Sequence, residues 1–231
     1  MLNDIFNHLN NIKRDFGTEN LFYRGHADAR WELLPALGRT RMKPDIETIL
    51  YNDFITRAGA ILPIDETKWS YIFAMQHHGL PTRLLDWTTT FGVALYFALR
   101  EGEGDAALWV LNPLELNKAT WNREVLPSPD ELDVNYYDGF IGNTKKFSST
   151  IVAVSPFHHN PRIFNQKAAF TFHANISIPL EQGYPHAVEK IVIPAALRRE
   201  AKEFLKLAGI SEFSLFPDLD GLARDLRREH L

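Results

Sequence analysis

The sequence predicts a single α+β domain, on three observations. Apolar residues recur at helical spacing through much of the first half, and short apolar runs of strand length gather in the second. No repeat or low-complexity linker divides the 231 residues, a length that fits one large domain. Residues 3–16 carry Ile5, Leu9, Ile12 and Phe16 on one helical face behind a cap at Asn3 or Asp4. ENLFYRG reads as a short strand ending at Gly25. PDIETILYNDFITRAGAIL predicts a helix opened by Pro44 and Asp45, with Ile46, Ile49, Leu50, Phe54, Ala58 and Ile61 on one face. ETKWSYIFAMQHHG predicts another, burying Trp69, Ile72 and Phe73, with Gly79 as its left-handed cap and Pro81 beyond.

A tight polar turn then leads into TTTFGVALYFALREG, a helix capped by a threonine, and DAALWVLN is a buried strand. Residues 112–147 are rich in Asn, Asp, Pro and Gly and predict an irregular excursion over the surface. STIVAVSP, AAFTFHANI and EKIVIP read as strands. AALRREAKEFLKLAG is a helix stopped by Gly209, and a last amphipathic helix carries Leu219, Leu222, Ala223 and Leu226.

Composition narrows the chemistry. A net charge of −4 gives the whole chain no basic field for nucleic acid, though a local patch stays open. With no cysteine there is no disulfide, thiolate metal site or cysteine nucleophile. The start of the chain is amphipathic rather than a signal peptide, and no apolar run reaches membrane-spanning length, so the expectation is a cytoplasmic protein without a membrane partner.

Polar residues concentrate in three places. In FYRGHAD, Arg24 ends a strand and can hold phosphate or carboxylate through a forked pair of hydrogen bonds, or else pair with a buried acid. Gly25 lets a ligand or another backbone approach closely. In QHHGLPTRLLDWTTT, Gln76, His77 and His78 close a helix, where one histidine serves as a cap and the other as a proton carrier or ligand anchor. Arg83 and Asp86 are spaced to pair with each other, and Trp87 suits the core. Thr88, Thr89 and Thr90 crowd a helix start, where a hydroxyl beside free N–H groups suits an anion or a ribose. In PRIFNQKAAFTFH, Arg162 and Gln166 precede a strand, and Gln166 suits a ribose hydroxyl or a base edge unless it is a plain surface glutamine. The four histidines of QHH and FHHN (His158, His159 in the second) lack metal-ligand spacing, so no metal is expected. A Gly-x-Ser-x-Gly elbow, a Rossmann fingerprint and a P-loop are all absent.

These motifs resemble the FRG domain family. Tyr23, Arg24 and Gly25 match its Phe/Tyr-Arg-Gly motif, HHGLPTRLLDWTTTFGVALYFA its second motif, and Arg162, Gln166 and Phe170 its Arg-x-x-x-Gln-x-x-x-Phe element. With the closing GISEFSLFPDLDGLA, the resemblance spans about residues 16–225. The motif order is in turn similar to that of ADP-ribosyltransferases, which implies a split sheet and a transferase using NAD as substrate. On that resemblance Arg24 would hold the NAD phosphate or nicotinamide ribose, with Thr88 to Thr90 at the Ser/Thr motif. Gln166 stands where the ADP-ribosyltransferase pattern expects a glutamate, so Asp86 or another acid such as Glu212 would have to supply the carboxylate. The cleft would lie between FYRGH (with Gly25 and His26), the QHHG-to-LLDWTTT stretch (residues 76–90) and RIFNQ. Trp87 or Phe97 would wall the nicotinamide, and His78 would position the substrate or act as base toward the acceptor. The implied setting is a bacterial toxin or phage-defence protein that modifies a protein or nucleic acid and is held by an antitoxin or other partner. The alternatives are a non-catalytic nucleotide- or RNA-binding module and a hydrolase using His78 and Asp86.

Overall fold

The computed structural model describes residues 1–39, 45–58, 61, 68–147, 149–155 and 165–231; Pro44, His158, His159 and Arg162, named above, lie outside them. Helix α1 (Leu2–Phe16) buries Leu2, Ile5, Leu9 and Ile12 in one stripe and stops at Gly17, whose φ of 63° favours a residue without Cβ. Strand β1 (Phe22–His26) follows, then helices α2 (Ile46–Ala58) and α3 (Lys68–His77). Gly79, at φ 82°, ends α3 as expected and donates its N–H to the Gln76 carbonyl. Next come β2 (Leu84–Thr88), α4 (Phe91–Leu99), β3 (Ala106–Leu111) and α5 (Pro113–Trp121). The chain closes with β4 (Ile151–Val154), β5 (Ala168–His173), β6 (Val188–Ile193), α6 (Arg198–Leu207) and α7 (Leu219–His230). None of the helices described is long and apolar enough to cross a membrane.

The six strands form one open antiparallel sheet in the order β4-β5-β2-β1-β3-β6, so the chain is an α+β domain among the described residues. Three of the strands lie before residue 112, which corrects the expected division into a helical first half and a strand-rich second. The main correction is β2. LLDWT is not a turn between two helices but an inner strand, paired with β5 along its whole length. Its side chains alternate, with Leu84, Asp86 and Thr88 on one face and Leu85 and Trp87 on the other.

The two faces are covered differently. On one, Phe22, Leu85, Trp87, Trp109, Ala153 and Ala169 form a single cluster reaching from β1 to the edge strands. On the other, the core is divided. One cluster joins Tyr23, Leu108, Val110 and Ile191 to α1, α4 and α6. The second joins Leu84, Val152, Phe170 and Phe172 to Trp69, Ile72 and Tyr136. The division falls between β1 and β2, which share only the Tyr23–Thr88 pairing. β1 and β3, by contrast, pair over five residues. The sheet is therefore continuous, but its middle is held by one bridge.

Other elements depart from their sequence patterns. In α2 the buried residue is Tyr51, while Ile49 is exposed and Ile61 lies beyond the helix end, also exposed. In α7 the buried residue is Gly221, where a Cβ would meet the Phe216 carbonyl oxygen at 1.9 Å; Leu219 and Leu226 face outward. The 112–147 excursion is largely built structure. Asn112 caps α5 by accepting from the N–H groups of Leu114 and Glu115. Asn117 of α5, fully buried, donates to the carbonyls of Val125 and Ala153 and accepts from the Ala153 N–H at 2.7 Å. Tyr136 is buried against Trp69 and Phe172 and donates its hydroxyl to Glu47.

Candidate functional site

A cavity of about 300 Å³ opens where β1 leaves β2. Gly25 forms one wall. A Cβ there would meet the Ala94 carbonyl oxygen at 1.9 Å and the Ala98 nitrogen at 2.4 Å. The close approach allowed by Gly25 is thus made by the backbone of α4, not by a ligand.

Arg24 spans the gap between the strands. Its Nη1 donates to the backbone carbonyl of Asp86 at 2.5 Å, an acceptor that the interrupted pairing leaves open. Its Nε donates to His26 Nε2 at 3.0 Å. Among the described residues no carboxylate oxygen lies within ion-pair distance of this guanidinium, although Asp86 acts on it electrostatically. Burial pulls its pKa down to about 10, with Asp86 opposing and Arg39 adding to the shift; it stays a cation at neutral pH.

His26 is buried and neutral. Burial first, and the Arg24 charge second, push its pKa down to about 3. Donors face both ring nitrogens: Arg24 Nε donates to Nε2, and the Trp109 indole N–H donates to Nδ1 at 3.2 Å, with the Trp31 carbonyl 3.3 Å from Nδ1. Its role is to orient Arg24. His173, on the same sheet face, is also driven to about 3 by burial and Arg24, and its Nε2 contacts the Thr171 hydroxyl at 2.9 Å. A neutral scaffold therefore backs a fixed cation.

Asp86 turns its exposed side chain into the cleft from β2. One carboxylate oxygen accepts from Gln76 Nε2 at 2.8 Å. The Gln76 carbonyl oxygen accepts from the buried Thr82 hydroxyl at 2.6 Å. Thr88 also lines the cavity, but its hydroxyl donates to the Gln166 carbonyl at 2.7 Å. Lys167, next to Gln166, holds a left-handed φ of 46° and accepts the Thr89 N–H at its carbonyl, so the wall before β5 is strained as well as tied. Phe73, Phe97 and Phe170 supply apolar surface.

The cavity brings together Arg24, Gly25, His26, Asp86, Trp87, Thr88, Phe97 and Gln166, as the sequence suggested. Several roles change. His78 is exposed and outside the lining; α3 ends at His77, and it is His77 that reaches the cleft. Thr89 is exposed and away from the lining, bound to the Lys167 carbonyl. Thr90 stands at the N-cap of α4 without a side-chain cap bond; its own N–H is taken by the Thr88 hydroxyl. Trp87 touches the cavity but is mainly core, donating its indole N–H to Thr171 at 3.0 Å. Gln166 spends its amide on the Leu215 carbonyl at 3.2 Å.

Arg83 and Asp86 do not pair. Arg83 sits at the entry to β2, three residues before an outward-facing aspartate, and turns instead to Glu47, gripped at 2.7 Å by both Nε and Nη2. Glu212 is not a cleft acid. It is wholly buried under Tyr96, Arg100, Arg224 and Arg228. Sequence reasoning missed Arg39, Arg100, Glu101 and Trp31, which line the same cavity. Nothing in their spacing marks them, since they come from loops and helix ends that only the fold brings together.

Residues 19–106 match the FRG domain family. The matched stretch runs from before β1 to the first residue of β3, so it holds Tyr23–Gly25, the Gln76–Thr82–Asp86 chain and α4. It supports the FRG resemblance there, while Gln166 and Phe170 of the cleft lie beyond the FRG match. No curated protein and no solved structure matches the chain.

Proposed function

We propose that the cleft binds NAD as a substrate and breaks its nicotinamide–ribose bond, as an ADP-ribosyltransferase-like enzyme would. The observation that carries this reading is Arg24: a cation fixed by His26 and a main-chain carbonyl, bordering a cavity and lacking a carboxylate partner among the described residues. Such a group is prepared for an anionic ligand. Arg39 and Arg100 add charge along the same lining, against Asp86 and Glu101. About 300 Å³ lies at the small end of ~300–1,000 Å³ ligand sites, which suits the nicotinamide–ribose half with the rest of the dinucleotide outside.

In this reading Arg24 holds a phosphate, and Phe97 with Phe73 and Phe170 walls the nicotinamide. The Asp86 carboxylate faces the sugar and stabilises the positive charge that develops as the C1′–N bond lengthens. Nicotinamide leaves with the bonding pair. The acceptor, a protein or nucleic-acid group or water, attacks C1′ and loses its proton, with His77 rather than His78 near enough to the cleft to take it. Modification of a macromolecule in a toxin or phage-defence setting, under a partner's control, is the biological role this chemistry fits.

A nucleotide-binding module without turnover is favoured by one observation: Gln166, at the place of the transferase glutamate, is bonded to the Leu215 carbonyl. One experiment separates the two. The purified protein is incubated with NAD, with and without cell lysate, and free nicotinamide is measured beside thermal stability. Release that is lost in Arg24→Ala and Asp86→Asn supports the enzyme. Stabilisation by NAD with no release assigns the module, and neither effect sinks both.

A further inference from the structure

We propose that Thr82 and Gln76 are positioning residues that set the direction of the Asp86 carboxylate in the cleft. The argument is one of hydrogen-bond polarity. The Leu84 N–H donates to the Thr82 hydroxyl oxygen at 3.0 Å, so the single hydroxyl proton is free to point the other way. It points to Gln76 Oε1, 2.6 Å distant. The amide is then fixed end for end: its oxygen faces Thr82 and its nitrogen must face Asp86 Oδ2 at 2.8 Å. An amide held only by solvent could present either end. Here a main-chain N–H within the sheet region decides it, through a side chain only 1% exposed.

The consequence lies at the other carboxylate oxygen. With Oδ2 occupied by Gln76, Oδ1 is the one left for a ligand. The same residue holds Arg24 by its main-chain carbonyl, so the cleft's cation and its carboxylate are placed against each other through Asp86. The chain of bonds joins three parts of the fold: α3 carries Gln76, the turn before β2 carries Thr82, and β2 carries Asp86. This inference rests on the reading of Asp86 as the group that faces the sugar.

The test uses the full chain. Thr82→Val keeps the side-chain shape and removes the hydroxyl; Thr82→Ser keeps the hydroxyl; Gln76→Met removes the amide. In NAD turnover, Thr82→Val and Gln76→Met lower kcat about tenfold with little change in KM, and Thr82→Ser recovers most of it. A structural role alone would lower the melting temperature and leave kcat per folded molecule unchanged, which overturns the proposal. A second reading does not need turnover: exchange of the Gln76 side-chain amide protons with water, followed by NMR. Slow exchange in the native protein that speeds about tenfold in Thr82→Val sustains the positioning role. Fast exchange in the native protein, or no change in Thr82→Val, overturns it. If nicotinamide is not released but the exchange behaves as stated, the transferase reading fails and the positioning of Asp86 stands.

Discussion

Two charged regions of this molecule answer the same problem in opposite ways. Around Glu212 one wholly buried carboxylate receives the Tyr96 hydroxyl and three arginines: Arg224 at 3.0 Å, Arg100 at 3.2 Å and Arg228 at 3.5 Å. Burial opposes that charge, but Tyr96 and the arginines outweigh it and hold the carboxyl below its ordinary range. Around Arg24 one cation receives a neutral imidazole and a main-chain oxygen, and nothing described supplies its counter-charge at contact distance. The first region closes its own hydrogen bonds and ties α7 to the body. The second keeps charge in reserve. The difference teaches that an arginine closed by a carboxylate and one held only by neutral groups are in different electrostatic states, and Arg100, paired with Glu212 while lining the cleft, stands where the two regions meet. Arg83, gripped by Glu47, falls on the structural side.

The contrast can be broken most directly at Glu212. Replacing it with alanine costs about 3 kcal/mol, the low end for breaking a buried pair because the arginines can turn to water. Urea denaturation reads this as a lower midpoint with an unchanged slope. Acid should do the same to the native protein. The carboxyl's folded pKa is depressed, so its stabilisation is present above the ordinary value of 4.5 and lost as pH falls through the folded one. Glu212→Gln removes that part of the acid transition.

Arg24→Ala should behave differently. Folding stability changes by less than about 1 kcal/mol, while affinity for NAD falls roughly 30- to 100-fold, read by calorimetry. Arg24→Lys does not restore it, since a point charge cannot hold His26, the Asp86 carbonyl and an anion together. If Arg24→Ala unfolds the protein as Glu212→Ala does, the two regions are of one kind and the contrast is lost.

The third effect is a slope. His26 and His173 have folded pKa values of about 3, against 6.5 for the free side chain. Between these values the unfolded chain binds more protons, so stability falls as pH drops from about 6.5 towards 3. Near pH 5 each histidine contributes roughly 1.4 kcal/mol per pH unit. His173→Gln should halve this part of the slope in urea midpoints measured between pH 4.5 and 6.

Much of the fold was legible in the sequence because local patterns reported it. The stripe of α1, the strand AALWVL and the glycine ending α3 each follow from spacing within one element. β2 was not legible, although Leu84, Asp86 and Thr88 alternate with Leu85 and Trp87 as a strand requires. Five residues between two helices are too few for that period to stand out. The members of the cleft were mostly visible as a concentration of polar residues, but their roles were not. The choice of His77 over His78 depends on where the helix ends. The partner of Arg83 lies 36 positions away, a pairing that only the tertiary structure specifies. Gly25 signalled a close approach without saying that α4 makes it.

The Asn117 amide has a consequence beyond the excursion it anchors. β4 is an edge strand, and its outer side would offer the Ala153 N–H and carbonyl to any extended chain that came near. The asparagine occupies both, as a neighbouring strand would. It therefore works as a stopper against self-association, and Asn117→Ala is expected to lose solubility on concentration before it loses any chemistry, as light scattering would record.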